Sequence, residues 1–548
     1  LLTSFLPGFF LLKILDRKNS ISGTALVVLS YLLSIFIMFL TGYFILLTNN
    51  SIPSIALQVV LAINILLASI HYLVNIGGEK KNCSYSVRMQ TLLLFSILLT
   101  VVVLSFFVMY YNFPLTRGDM WRHHAQAVQY SEQFPVYSGL LIPGYPYLYH
   151  LYLAVMFSLS GIPSAITEQL LYILNFIPVL AFYSAVKEWF KEKKAKGVPI
   201  FATFLSLLLG FGSLYAIYLK LINPTYNIQQ LLGTATAKTY DIYMRVIFLP
   251  SIVAPVVTVG LPVFLMLLYL IRNDNVSKII RTLLVSILIV IGYLGHVAEI
   301  IVFLLFFIIY SLLSPKFKWS LNAGILLGLI FVVIIDLTAP SQIYIFSMNS
   351  ITGKNTPSLP FLSTFFLLLL GTVISIVKSK FSFKFLSDLR SRLFNELMRI
   401  WKYAKWLLLY AYFMSIIIWL TVLDDFNLWI FGGCSFIPFF IFPLRLGPVG
   451  LLAVLFIFAY LPDLVKDRRL FLFLTLIITG FLLEQLSNQF PIYYPAYKYA
   501  TFTFLGACVV AAYGIKRSLH ILPKTKHLLT NSSIKKKLLT SLLLFGVI

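Results

Sequence analysis

The sequence predicts an all-α protein, a polytopic bundle of about 14–15 transmembrane helices with a long first external loop that contains interfacial helices. Of its 548 residues 60% are hydrophobic and 11% are charged, and the mean hydropathy is +0.93, whereas soluble domains carry roughly 25% charged residues. Apolar runs of about 20 residues recur along the chain, each long enough to cross ~30 Å of hydrocarbon. Such spans must be helices, because a lone segment in lipid satisfies its backbone groups in no other way.

The apolar runs divide the chain into four regions. We expect N-terminal transmembrane helices over 1–110, the external loop over 111–164, a transmembrane core over 165–515, and a cytoplasmic basic segment with the start of a truncated further span over 516–548. The chain begins without Met and stops inside an apolar run, so we expect both ends to be cut from a longer protein. The predicted spans are 22–48, 54–76, 91–110, 166–186, 198–222, 246–271, 282–294, 296–313, 320–338, 359–379, 406–422, 447–461, 470–485, 499–515 and one from about 538.

The basic residues of the connecting loops predict the orientation. Roughly four fifths of the 42 Lys and Arg residues fall in alternate loops, and such residues are retained on the cytoplasmic side. The net charge of +24 therefore reports topology and indicates no nucleic-acid partner. We predict a multi-pass protein of the plasma membrane whose active site faces outward. The basic, amphipathic stretch 378–405 is expected to lie along the anionic inner leaflet, with a partner-docking helix as the alternative.

Two segments depart from simple spans. The apolar segment 147–161 is only about 14 residues long, short for a span. We interpret it as an interfacial or re-entrant helix within the external loop. The run 282–313 is too long for one helix and too short for two full ones, with Gly292, Gly295 and the group GHVAE in its middle. It predicts two short helices that meet near the external face.

The external loop holds the first candidate site. In the segment RGDMWRHHAQ, Asp119, Arg122 and His123 stand at i, i+3 and i+4, so a helix starting near Gly118 would place them on one face. An acid beside an imidazole can take a proton from a hydroxyl. The alternative is that Asp119 caps the helix and pairs with Arg122.

The second candidate site lies close to the membrane. His296 and Glu299 are three residues apart in GHVAE, and ionisable groups at such depth normally face a cavity or a partner. The spacing allows a metal pair or a proton relay. It equally allows a hydrogen bond between the two side chains that holds two short helices together.

Cationic residues on the external side are few. Arg245, Arg445 and Lys498 lie there, and each could hold a lipid-linked phosphate by charge-assisted hydrogen bonds. Snorkelling to lipid headgroups is the alternative. The sequence has no Walker loop, dinucleotide fingerprint, Gly-x-Ser-x-Gly elbow or His-Glu-x-x-His motif, so common soluble cofactors and zinc-protease chemistry have no support.

The motifs of the external loop resemble a known family. RGDMWRHHAQAVQY, followed by a Pro-rich turn and YPYLYHLYLAVMFSLSGIP, resembles the first external loop of the GT-C superfamily of polytopic membrane glycosyltransferases. GHVAE, PLRLGPVGLLA and YKYATFTFLGACVVAAYG are similar to segments of archaeal-type members, so the likeness extends from about Thr91 to Lys516. The chain has Gly118-Asp119 where protein mannosyltransferases have an acidic pair, which leaves metal dependence and the acceptor open.

The resemblance implies an inverting transferase that moves a sugar from a polyprenyl-phosphate donor to a lipid, glycan or protein acceptor at the external face. Asp119 would be the general base, and His123, His296 and Glu299 would line the same cavity. Residues expected to bind substrate are Arg122, Arg245, Tyr145 of the Tyr-Pro turn, His150, Arg445 and Lys498. No cofactor is certain, and a divalent metal stays open. The alternatives are a secondary transporter, a lipid or glycan flippase, and a glycan polymerase or ligase.

Overall fold

The residues that the computed structural model describes are mostly helical, and no strand occurs among them. The fold class predicted from the sequence is confirmed. The described residues are 3–48, 50–75, 89–111, 119–132, 147–192, 197–207, 224–225, 259–313, 318–338, several positions within 366–377, 384–422, 443, 446–489 and 497–521. They fall into two compact units, one of 1–189 with 248–376 and one of 190–247 with 377–548.

The first unit contains most of the helices with described bounds. These are α1 (Leu6–Leu15), α2 (Gly23–Leu47), α3 (Ile52–Asn75), α4 (Met89–Tyr111), α5 (Asp119–Glu132), α6 (Leu148–Ser160), α7 (Ser164–Leu170), which continues through a 3₁₀ turn (Leu171–Asn175) into α8 (Phe176–Trp189), α10 (Leu261–Arg272), α11 (Lys278–Gly295), α12 (Val297–Leu313) and α13 (Trp319–Leu337). The second unit contains α9 (Val198–Leu205), α14 (Lys384–Val422), α15 (Gly447–Lys466), α16 (Arg468–Gln489) and α17 (Tyr497–Ile521).

Membrane-spanning helices are present in both units. In the described part of the chain, seven helices are long and apolar enough to cross a bilayer. They also carry the exposed apolar side chains that lipid requires: on α3, Ile65 and Leu73 are each 66% exposed. The larger number of spans predicted from the sequence includes segments outside the described residues, and it stays a prediction.

The predicted cytoplasmic end of the first unit is fastened by a buried arginine. Arg281 donates to the carbonyl oxygen of Asn273 at 2.5 Å and to that of Val276 at 3.3 Å. Lys318 bonds Asp274 at 2.7 Å. Burial acts to raise the pKa of Asp274, but the hydrogen bond and charge of Lys318 outweigh it, so this pKa lies below its ordinary value. These loops of basic residues therefore share one end of the unit, as the charge pattern predicts.

Helices α11 and α13 approach closely at two glycines. Gly324 and Gly328, four residues apart on α13, face α11 so tightly that a Cβ on Gly328 would lie 2.8 Å from the carbonyl oxygen of Ser286. A Cβ on Gly324 would lie 2.7 Å from the carbonyl oxygen of Thr282. Small residues at such spacing let helix backbones meet in a membrane, where van der Waals packing drives association.

The two irregular segments form helices, and one of these, α11, has 18 residues and is long enough to cross a bilayer. The segment 147–161 contains α6, which has 13 residues and is too short to cross the bilayer. Its residues from Leu148 to Val155 are buried by packing against α2, α3, α5 and α11, so α6 lies inside the bundle and not on its surface. The run 282–313 divides into α11 and α12 at His296, as predicted.

The basic stretch near 390 differs from its prediction. A surface helix followed by a separate span would need a bend near residue 405, but α14 runs without interruption for 39 residues, from Lys384 to Val422. The reason is local, because this range contains neither Pro nor Gly, the residues that usually break or kink a helix. Within the same unit α14 packs against α15, and Trp401 stacks on Phe458 with ring centroids 5.2 Å apart.

We expect Gly328→Ala and Gly324→Ala to destabilise the first unit by about 1–3 kcal/mol each, because the added methyl group meets backbone atoms that cannot rotate away. The measurement is the midpoint of thermal unfolding in detergent. Gly23→Ala is the matched control, since a Cβ at Gly23 would meet nothing within 4 Å. Midpoints that match the control for both variants would contradict the proposed close packing.

Candidate functional site

Helix α5 presents the candidate site of the external loop. It begins at Asp119 and ends at Glu132, as the spacing of Asp119, Arg122 and His123 predicts. The side chains of Asp119 and Arg122 lie outside the described residues, so their roles stay predictions. The next residues of α5 are buried, with His123 3% and His124 7% exposed.

His123 pairs with His150 of α6. Its Nδ1 lies 2.8 Å from Nε2 of His150, and the two rings stack with centroids 5.1 Å apart. One nitrogen must donate and the other accept, so the rings cannot both carry a proton at the shared contact. This pair therefore joins two residues that the sequence proposed for one site, and burial lowers the pKa of His150 to about 3, which keeps that ring neutral.

His124 has a different set of partners. Its Nδ1 lies 2.5 Å from Oε2 of Glu168 on α7, and its Nε2 lies 3.1 Å from the hydroxyl oxygen of Ser164. Glu168 is fully buried. Reasoning from sequence missed these three residues. The available signal was a glutamate inside a predicted span, a position where an acid is costly unless it has a partner.

His296 and Glu299 form the third pair. His296 occupies the break between α11 and α12 with extended backbone angles, and its Nδ1 hydrogen-bonds Oε2 of Glu299 in the first turn of α12. Both side chains are at most 2% exposed. A Cβ at Gly260 would lie 2.6 Å from this carboxylate oxygen, so only glycine leaves room for the acid there. The hydrogen bond predicted as one alternative is confirmed, and it bridges α11 and α12.

The helices that carry these pairs touch one another. A Cβ on Gly295, the last residue of α11, would lie 3.9 Å from Cδ2 of Leu148 at the start of α6. Gly295 immediately precedes His296, and Leu148 is two residues before His150. The start of α6 therefore packs beside the junction of α11 and α12. This contact brings together two chain segments about 150 residues apart, as counted from their residue numbers.

The remaining predicted residues are not brought to this site by the described part of the structure. Lys498 is in the first turn of α17, in the second unit, and its side chain is not described. Tyr145, Arg245 and Arg445 lie outside the described residues. No group of three or more His, Cys, Asp or Glu side chains suited to a metal ion occurs among the residues with described positions. Metal dependence stays open, because Asp119 is not among the side chains compared.

We expect Glu299→Ala to lower the thermal unfolding midpoint strongly, because loss of one member of a buried pair costs about 3–5 kcal/mol. Glu299→Gln keeps an oxygen that can accept from His296, so its effect should be smaller. Glu396→Ala, which removes an exposed glutamate, is the control and should leave the midpoint unchanged. If Glu299→Ala were as stable as this control, the pair would not hold the helices together.

Protein-family models, curated proteins and solved structures were each compared with the chain, and none matches. The chemistry assigned to the three histidine pairs therefore depends on their geometry and burial within this chain.

Proposed function

We propose that the protein is a membrane glycosyltransferase of the GT-C type, which transfers a sugar from a polyprenyl-phosphate donor to an acceptor hydroxyl at the external face. The observation that carries the proposal is the fixed position of α5. Its two adjacent histidines are hydrogen-bonded to different elements, His123 to α6 and His124 to α7. A general base on the first turn of a helix held in this way is preorganised for catalysis.

The proposed reaction is a single displacement at the anomeric carbon. Asp119 takes the proton from the acceptor hydroxyl as its oxygen attacks, and the bond to the phosphate oxygen breaks on the opposite face of the sugar. Inversion at the anomeric carbon follows. The departing phosphate stays anchored in lipid by its polyprenyl chain and requires only neutralisation, for which Arg122 of the same helix is the candidate. A nucleotide site is not required.

The histidine pair next to Asp119 holds the helix that carries the proposed base. In a helix His123 follows Asp119 by four residues and lies on the same face, and its imidazole shares a hydrogen bond with His150. Because burial keeps His150 neutral, the pair acts by holding α5 in place. His296 and Glu299 would then form part of the cavity wall.

We expect Asp119→Asn to abolish sugar transfer while leaving expression and the thermal midpoint intact, because the amide cannot accept the proton. The assay uses membranes supplied with synthetic polyprenyl phosphates that carry radiolabelled hexoses. Glu132→Gln is the control, since it neutralises an acid at the opposite end of α5. The control should retain transfer. Near-normal transfer by Asp119→Asn would remove the proposed base.

A proton-coupled transporter is the second candidate, favoured by the burial of two glutamates against histidines in the first unit. Such pairs serve as proton relays in transporters and pumps. In vesicles containing the purified protein, substrate-driven proton uptake with no sugar transfer would favour transport. Radiolabelled product formed at equal pH on both sides would favour the transferase.

A further inference from the structure

Ser164, His124 and Glu168 are arranged as a chain of hydrogen bonds. The serine hydroxyl lies 3.1 Å from Nε2 of His124, and Nδ1 of the same ring lies 2.5 Å from the glutamate carboxylate. The three side chains thus follow the order nucleophile, base and orienting acid. Ser164 contacts one ring nitrogen of His124, and Glu168 contacts the other. The same order of contacts defines serine nucleophiles on unrelated folds.

The carboxylate selects the reactive tautomer of the ring. When the Glu168 carboxylate is ionised it can only accept a hydrogen bond, so Nδ1 of His124 then donates to it. Nε2 then holds a lone pair directed at the hydroxyl of Ser164. A base in this tautomer can take the hydroxyl proton, and the adjacent carboxylate stabilises the imidazolium that forms.

The exposed fraction of the residue increases from Glu168 through His124 to Ser164. Glu168 is fully buried and His124 is 7% exposed, whereas Ser164 is partly exposed. The span that leads into α8 begins at Ser164, and the first residue of a spanning helix lies at the level of the lipid headgroups. The exposed side chains of Ile162 and Ile166 flank the serine. A substrate could therefore reach the nucleophile while the base and acid stay shielded.

Holding α5 against α7 accounts for the bond of His124 to Glu168, but it does not account for the contact of His124 with Ser164. The turn between α6 and α7 is held by other hydroxyls, since Thr167 donates to Ser160 at 2.9 Å and Ser160 bonds the carbonyl oxygen of Phe157 at 3.0 Å. Glu168 is a costly residue at this position, because its Oε1 is buried and has no hydrogen-bond partner among the described residues. A buried acid retained with one partner, a histidine, is typical of a site that handles protons.

From this geometry we infer that Ser164, His124 and Glu168 form a nucleophilic site for carboxylic esters with apolar chains, such as the acyl esters of membrane lipids. The hydroxyl oxygen of Ser164 bonds to the carbonyl carbon while its proton passes to Nε2 of His124. The bond from that carbon to the alcohol oxygen then breaks, and the alcohol leaves with the proton from Nε2. Water or another hydroxyl, activated by the same imidazole, releases the acyl group from Ser164.

The inference is independent of Asp119 and of sugar transfer, and it is tested with a fluorophosphonate probe on the full chain in membranes. We expect a covalent adduct that peptide mass spectrometry maps to Ser164. Ser164→Ala and His124→Gln should lower the labelling rate by about 10²-fold or more, as loss of a triad member does elsewhere. Hydrolysis of p-nitrophenyl butyrate by the purified protein should fall in parallel.

Ser158→Ala is the matched control, because the hydroxyl of Ser158 bonds the carbonyl oxygen of Ala154 in its own helix and not a histidine. It should be labelled at the wild-type rate. Mapping the adduct on the wild-type chain keeps the test valid even if Ser164→Ala folds poorly. Absence of an adduct at Ser164, or equal labelling of His124→Gln and wild type, would overturn the inference.

Discussion

Polar side chains inside a bundle that is surrounded by lipid must be satisfied by one another, and this constraint shapes the first unit. Four of the seven histidines in the sequence, His123, His124, His150 and His296, are buried there. The buried glutamates of the unit, Glu168 and Glu299, each contact one of them. Because an unpaired charge in such surroundings costs several kcal/mol, these pairs fix where α5, α6, α7 and the junction of α11 with α12 lie.

Close packing provides the rest of the framework. Between α11 and α13 the glycines of α13 bring backbones together, and Gly260 leaves the space that the Glu299 carboxylate occupies. In lipid the helices gain little from hydrophobic burial, so association depends on such contacts and on interhelical hydrogen bonds. Polar pairs and small residues therefore act together at Glu299, whose carboxylate occupies space that Gly260 leaves open.

The sequence predicts the helices well, but it predicts only some of the hydrogen-bonded side-chain pairs at the candidate site. Hydropathy and loop charge placed α2, α3, α11 and α12 within a few residues, because the membrane imposes length and composition on every span. The pair of His296 with Glu299 is local and was foreseen as an alternative. The contact of Glu168 with His124 is not predicted, since the two residues are 44 positions apart. Helical periodicity indicates only contacts between residues that are close in sequence. The continuity of α14 is also not predicted. The change from basic to apolar residues near 405 suggested a surface helix and a separate span, whereas no Pro or Gly interrupts the helix.

Helix α5 shows how these constraints combine at the candidate site. Adjacent residues on a helix point about 100° apart, so His123 and His124 reach two different elements, α6 and α7. Two hydrogen bonds in different directions restrain both the rotation and the translation of a helix that belongs to a loop. Asp119, on the first turn of this same helix, inherits that restraint. A mobile loop could not hold a base within the fraction of an ångström that proton transfer requires, whereas a helix locked at two adjacent residues can.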